Sequence, residues 1–102
     1  MEIKAFKLVS GDDVVSKFKK IKEGYLLIDP RKILLMPSSQ GLGYMYVVLS
    51  LCDIEKNEFT IKDEHILFES DVEDNMKQKY LDEISVDNND SDLTIPSSDN
   101  VV

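Results

Sequence analysis

The stretch that most limits how this chain can fold lies at residues 25–36. Tyr25-Leu26-Leu27-Ile28 reads as a β-strand, Asp29-Pro30 interrupts it, and Arg31-Lys32-Ile33-Leu34-Leu35-Met36 resumes it. Proline has no N–H to give to a ladder, so Pro30 marks a bulge, an edge or a corner. A strand that bends sharply at its middle is what a small barrel needs in order to close. The apolar run 33–36 is too short for a core helix, and burial on both faces is expected for it.

The segments on either side read as short strands joined by tight turns. Leu8-Val9-Ser10-Gly11-Asp12-Asp13-Val14-Val15 is a hairpin signal. Gly11 can take a positive φ, and Asp12 and Asp13 can bond their own backbone in the turn. The first strand is expected at 5–9 and the second at 14–21. Val14 and Phe18 then share one face, and Lys17 and Lys19 share the other. Lys4 and Lys7 cannot share a strand face, so one end of the first strand must fray, turn or bulge. Lys22-Glu23-Gly24 is a second turn, and residues 37–43 read as a loop by composition.

Residues 44–52, Tyr-Met-Tyr-Val-Val-Leu-Ser-Leu-Cys, carry the strongest β signal. They are aromatic and β-branched, with no breaker. Both faces of this strand are apolar, which one small chain covers with difficulty. Left at an edge it would invite aggregation, so pairing with another subunit is expected. Residues 58–61 form a short strand, and His65-Ile66-Leu67-Phe68-Glu69 the last one. From Ser70 the pattern turns helical, with an acidic start and Val72, Met76, Tyr80 and Ile84 at steps of four. The expected division is a β-barrel at 1–69, a short helix at 70–84 and an acidic, partly flexible tail at 85–102, which holds four Asp and no Lys or Arg.

The charge is uneven. The formal net charge is −8, with 20 acidic and 12 basic residues. Residues 1–32 hold eight Lys/Arg against five Asp/Glu, and residues 33–102 hold four against fifteen. Such a chain is a poor general polyanion binder, although a local lysine cluster can act if assembly multiplies it. Lys19, Lys20, Lys22 and Lys62 are the candidates for phosphate contact. Cys52 is the lone cysteine, which excludes an intrachain disulfide. No apolar run approaches the roughly 20 residues that span a bilayer, and the N-terminus lacks a signal-peptide core. A cytoplasmic protein that does not enter membranes is expected. His65 has no positioned partner and no nucleophile in view, so no catalytic residue, no metal site and no cofactor is expected.

In order, the strand, acidic glycine turn, bent strand, Gly41-Leu42-Gly43 approach and paired short last strands resemble the Sm-like (LSm) family. Leu8-x-x-Gly11-x-x-Val14 looks like its first motif. Phe59-Thr60-Ile61 followed by His65-Ile66-Leu67-Phe68 looks like its second. The short Sm-like proteins encoded by bacteriophages are the most similar subgroup. The resemblance covers about residues 5–69 and implies a strongly bent five-stranded antiparallel barrel, Sm-like and SH3-like, that closes into a homo-oligomeric ring of about five to seven subunits. It implies an interface in which Tyr44, Met45, Tyr46, Val47, Val48 and Leu49 of one subunit meet His65, Ile66, Leu67 and Phe68 of the next. The family's uridine-reading pattern is absent after the second strand, and Lys62-Asp63 stands where Lys-Gly or Arg-Gly belongs. The expected function is that of a non-enzymatic ring, an RNA-associated scaffold with weak or non-specific RNA contact. The alternative is a protein-binding module, phage-encoded and acting on a host factor in the host cytoplasm, without nucleic acid.

Overall fold

The computed structural model describes residues 2–49 and 57–89. Six strands and one helix follow one another: β1 (Ile3–Leu8), β2 (Asp13–Ile21), β3 (Gly24–Ser38), β4 (Gly41–Val48), β5 (Glu58–Lys62), a 3-10 turn (Asp63–His65), β6 (Ile66–Ser70) and α1 (Asp74–Asn89). All pairings are antiparallel, in the order β4-β3-β2-β1-β6, with β5 also on β3. The fold is a small antiparallel β structure with one C-terminal helix.

Strand β3 organises the rest. Its outer side is shared: β5 pairs with residues 24–28 and β4 with residues 31–38. On its other side β2 pairs Val15 with Arg31 and then Lys17 with Ile28. Ser16 therefore faces two β3 residues, Asp29 and Pro30, and the strand bulges and bends there. Asp29 sits at φ 55, in the left-handed region that Asp enters more readily than most residues. Its N–H donates to the Asn57 carbonyl at 2.7 Å.

A bulge leaves ladder groups without their usual partners, and one side chain supplies them. The Lys17 N–H donates to the Tyr80 hydroxyl at 3.1 Å. That hydroxyl donates to the Asp29 carbonyl at 2.8 Å and lies 3.2 Å from the Ile28 carbonyl. The Ser16 hydroxyl donates to the Lys17 carbonyl at 2.6 Å. Lys17 Nζ pairs with Asp29 Oδ2 at 3.2 Å. Tyr80 is fully buried, so helix α1 is pinned to the sheet at the bend.

Two apolar clusters lie on opposite sides of the sheet. Phe6, Leu8, Val14, Tyr25 and Leu27 form one, with Phe18, Leu49, Ile61 and Ile66 against it. Val15, Tyr46, Val72, Tyr80 and Ile84 form the other, beneath α1. Adjacent Val14 and Val15 point into different clusters and are both fully buried, so β2 is covered on both faces. On the first side, Phe6, Phe18 and Tyr25 meet edge to face with centroids 5.0–5.8 Å apart.

The sheet is strongly curled. Strands β3 and β6 are three steps apart in the pairing order, about 14 Å if the sheet were flat. Yet the Tyr25 hydroxyl on β3 donates to the Glu69 carboxylate on β6. Lys4 Nζ lies 3.3 Å from the same carboxylate. The hydrogen bond from Tyr25 is the main cause that holds the Glu69 carboxyl below its usual range, and donating it to that carboxylate pushes Tyr25 up to about 12. Among the described residues no ladder joins the two ends of the strand path.

Several expectations change. The described residues form six strands, matching the six segments read from the sequence, where the resemblance implied a five-stranded barrel; β4 and β5 lie end to end along β3. The apolar run 33–36 is not buried on both faces: Leu34, Leu35 and Met36 are exposed, since β2 begins its pairing opposite Lys32 and, among the described residues, only β4 flanks the strand beyond it. The expected loop at 37–43 is the end of this hairpin, with Ser38 paired to Gly41 and the Ser38 hydroxyl 3.0 Å from the Gly41 carbonyl. His65 belongs to the 3-10 turn rather than to the last strand. The helix runs over Asp74–Asn89 instead of 70–84, because β6 continues to Ser70 in its pairing with Ala5. Residues 85–89 are thus helix, and the tail at 90–102 lies outside the described residues, as do Ser50, Leu51 and Cys52 of the expected fourth strand. Lys4 and Lys7 lie on opposite faces of β1, Lys4 paired with Glu69 and Lys7 with Asp13, and the expected bulge falls after Lys7, as a register shift between Lys7 and Leu8 against β6. Gly11, at φ 97, makes the first turn, and its N–H donates to the Leu8 carbonyl.

Two predictions follow from these contacts. Tyr80→Phe keeps the ring and removes the hydroxyl, leaving the Lys17 N–H unpaired, so urea unfolding should show a loss of about 1–3 kcal/mol. An unchanged midpoint would mean the bulge does not depend on Tyr80. The Tyr25–Glu69 pair makes stability depend on pH in both directions. The depressed Glu69 contributes stability above the ordinary Glu range that is lost as pH falls through its folded value. Tyr25 contributes stability below the ordinary Tyr value of about 10 that is lost as pH rises through about 12. The stability gap between wild type and Glu69→Gln should therefore be widest at neutral pH and narrow on both sides. A gap that is flat with pH would remove the pair from the account.

Candidate interaction surfaces

The four candidate phosphate lysines gather at one end of the molecule. Lys19 and Lys20 end β2, Lys22 sits in the β2–β3 turn, and Lys62 ends β5 opposite Gly24. All four are exposed. Gly24 makes this grouping possible. A Cβ there would collide with the Ile61 carbonyl oxygen, so only glycine lets β5 lie this close to β3. The Asp63 N–H donating to the Glu23 carbonyl at 2.9 Å closes the same corner.

The lysines are not equivalent. Lys20 Nζ binds the carbonyls of Ile21 at 3.0 Å and Gly24 at 3.1 Å, lies 3.4 Å from Asp63 Oδ2, and sits 4.9 Å from the Tyr25 ring centre. It is committed to holding the turn. Lys19, Lys22 and Lys62 have no ion pair among the described residues, although Glu23, Asp63 and Glu64 stand nearby in the chain. Alternation along β2 puts Lys19 and Lys20 on opposite faces. The register gives Ile21, Gly24 and Lys62 the same face as Lys19. The end therefore offers three available cations in a partly acidic setting, enough for phosphate contact and without an aromatic platform for bases.

The second surface is formed by two strand edges. Strand β4 stands at one end of the pairing order and β6 at the other, so each has one edge unpaired among the described residues. Tyr46 is buried, with its hydroxyl donating to the Met76 carbonyl at 3.0 Å. Tyr44 packs beside it under α1, and Lys79 Nζ lies 4.5 Å from the Tyr44 ring centre. Leu49 and Ile66 pack on the inner cluster, and Val47 and Val48 are half-buried. Met45, Leu67 and Phe68 are left exposed. His65 is exposed, with Nε2 3.6 Å from Glu64 and no nucleophile beside it.

A third surface is one that reading the sequence missed. The β3–β4 hairpin projects as an arm with Leu34, Leu35, Met36, Leu42 and Met45 all exposed. Its sequence signal is the absence of any charged residue between Ile33 and Cys52, in a chain that is 31% charged. A hollow of about 600 Å³ lies beside the start of α1, lined by Glu2, Ile3, Asp71, Val72 and Lys77. Among the described residues no three His, Cys, Asp or Glu converge to hold a metal, and no helix is long and apolar enough to cross a membrane.

No protein-family model matches this chain, and no curated protein matches it.

The close approach at Gly24 is directly testable. Gly24→Ala should destabilise the protein by about 3 kcal/mol, as forced overpacking does, and should release the amides of β5 to solvent exchange before those of β2. Wild-type stability in this variant would show that β5 does not lie against Gly24.

Proposed function

We propose that this protein is a non-enzymatic, self-assembling scaffold that forms an Sm-like ring and makes weak, non-specific contact with RNA phosphates. The observation that carries the reading is the pair of unpaired edges at opposite ends of the sheet, β4 and β6, each with exposed apolar side chains. In the ring, β4 of one copy adds to β6 of the next, which satisfies backbone groups on both and covers Met45, Leu67 and Phe68. Such a contact is head-to-tail, and it closes when the rotation per subunit divides a full turn. In this reading β4 and β5 act as one interrupted strand along β3, which makes the curled sheet a five-stranded barrel. About five to seven subunits complete the ring.

Lys19, Lys22 and Lys62, repeated around the ring, supply the phosphate contacts, while Lys20 shapes the turn. The exposed apolar arm favours a second reading, a protein-binding module acting on a host factor without nucleic acid.

Mass in solution separates these. The wild type should sediment as a ring at micromolar concentration, and Phe68→Lys should reduce it to smaller species that keep the wild-type circular dichroism. A wild-type monomer contradicts the ring. Binding of a fluorescent single-stranded RNA should weaken with salt at a logarithmic slope of about −2 for each subunit engaged, the value for three phosphate contacts. Replacing Lys19, Lys22 and Lys62 by alanine should abolish it. A ring that binds no RNA at low salt would leave the protein-binding reading in place.

A further inference from the structure

The arm has two apolar faces, and only part of it is engaged within the subunit. The register puts Leu34 opposite Met45 and Met36 opposite Gly43 on one face, and Leu35 opposite Tyr44 and Pro37 opposite Leu42 on the other. The second face is the more open, with Leu35 63% and Leu42 68% exposed. Leu35 and Pro37 stand on β3, one strand in from the edge at which β4 would meet β6, and Leu42 stands beside them on the same face. They need cover that edge pairing does not provide.

Charge decides what can cover them. The protein carries −8, and like-charged copies repel wherever their acidic surfaces approach. Residues 33–52 are free of charge, so the arm is the region where two copies can meet without burying or opposing acids. Among the described residues, the other large exposed apolar side chains are Val9, Ile21, Leu67 and Phe68. Leu67 and Phe68 belong to the β6 edge, and Val9 adjoins it through its N–H to the His65 carbonyl. A second arm is the remaining surface matched in length, in apolar character and in lack of charge. Projection of the arms also holds the acidic bodies apart.

We propose that the arm is a two-fold pairing element: the Leu35, Pro37 and Leu42 faces of two copies pack against each other, independently of the β4–β6 edge. The contact is isologous, each residue meeting its own equivalent, whereas the edge contact is head-to-tail. In an assembled ring it would join two rings back to back. Without a ring it would make a dimer.

The test is sedimentation of the full chain in four forms: wild type, the arm variant Leu35→Glu with Leu42→Glu, the edge variant Phe68→Lys, and their combination. All substituted side chains are exposed, and circular dichroism confirms folding of each. The arm variant should halve the wild-type mass, the edge variant should leave a dimer, and the combination a monomer. Raising the salt should tighten the arm contact, because screening removes repulsion between the acidic bodies. An associated wild type whose mass is unchanged by the arm variant overturns the proposal and leaves the edge contact standing. A halved mass in the arm variant with no effect of the edge variant supports the arm and rejects the edge. A monomeric wild type rejects both.

Discussion

The tyrosine hydroxyl at position 80 is the interaction on which the rest of the structure depends. Strand β3 must bend, because Pro30 cannot continue the ladder and Asp29 turns into the left-handed region. Bending strands the Lys17 N–H and the carbonyl of Asp29 in a buried place. An unpaired buried polar group costs about 1–3 kcal/mol, so a bend without a partner would be disfavoured. Tyr80 meets both groups from a helix whose Met76 and Ile84 belong to the apolar cluster with Val15 and Tyr46, and whose Met76 carbonyl accepts from the Tyr46 hydroxyl. Helix and bend thus support each other: the hydroxyl satisfies the bulge, and the bulge fixes where the helix lies.

The bend then sets out the surfaces. It turns β3 so that its first half pairs with β5 and its second half with β4, and it curls the sheet until Glu69 reaches Tyr25. One consequence is that the lysines of β2 and β5 share an end. Another is that, among the described residues, β4 and β6 keep free edges on opposite ends of the strand order. A third is that β3 and β4 outrun β2 and leave the arm exposed. Free edges and an exposed apolar arm are the features on which the proposed assembly rests.

Much of the fold was legible in the residues. Pro30 marked a bulge, an edge or a corner, and a bulge forms; Gly11 marked the first turn; and the steps of four marked the buried side of α1 at Met76, Tyr80 and Ile84, with Val72 just before the helix. Other parts were not legible, for physical reasons. The run 33–36 looks like a buried strand because local composition cannot report whether a neighbouring strand extends far enough to cover it. Tyr46 looks like an interface residue, yet α1, distant in sequence, takes it. Gly24 reads as a turn glycine, whereas its place is set by the close approach of Ile61. The lysine cluster was visible, but the engagement of Lys20 by two carbonyls and Asp63 needs the folded turn.

The central claim is that the bend leaves two strand edges whose backbone groups are satisfied by neighbouring copies. Amide hydrogen exchange across a range of protein concentrations tests it most directly. The account predicts that the outward amides of Gly41–Val48 and Ile66–Ser70 become protected together as concentration rises, while those between β2 and β3 stay protected throughout. Fast exchange of both edges at every concentration, with β2 and β3 still protected, would contradict it.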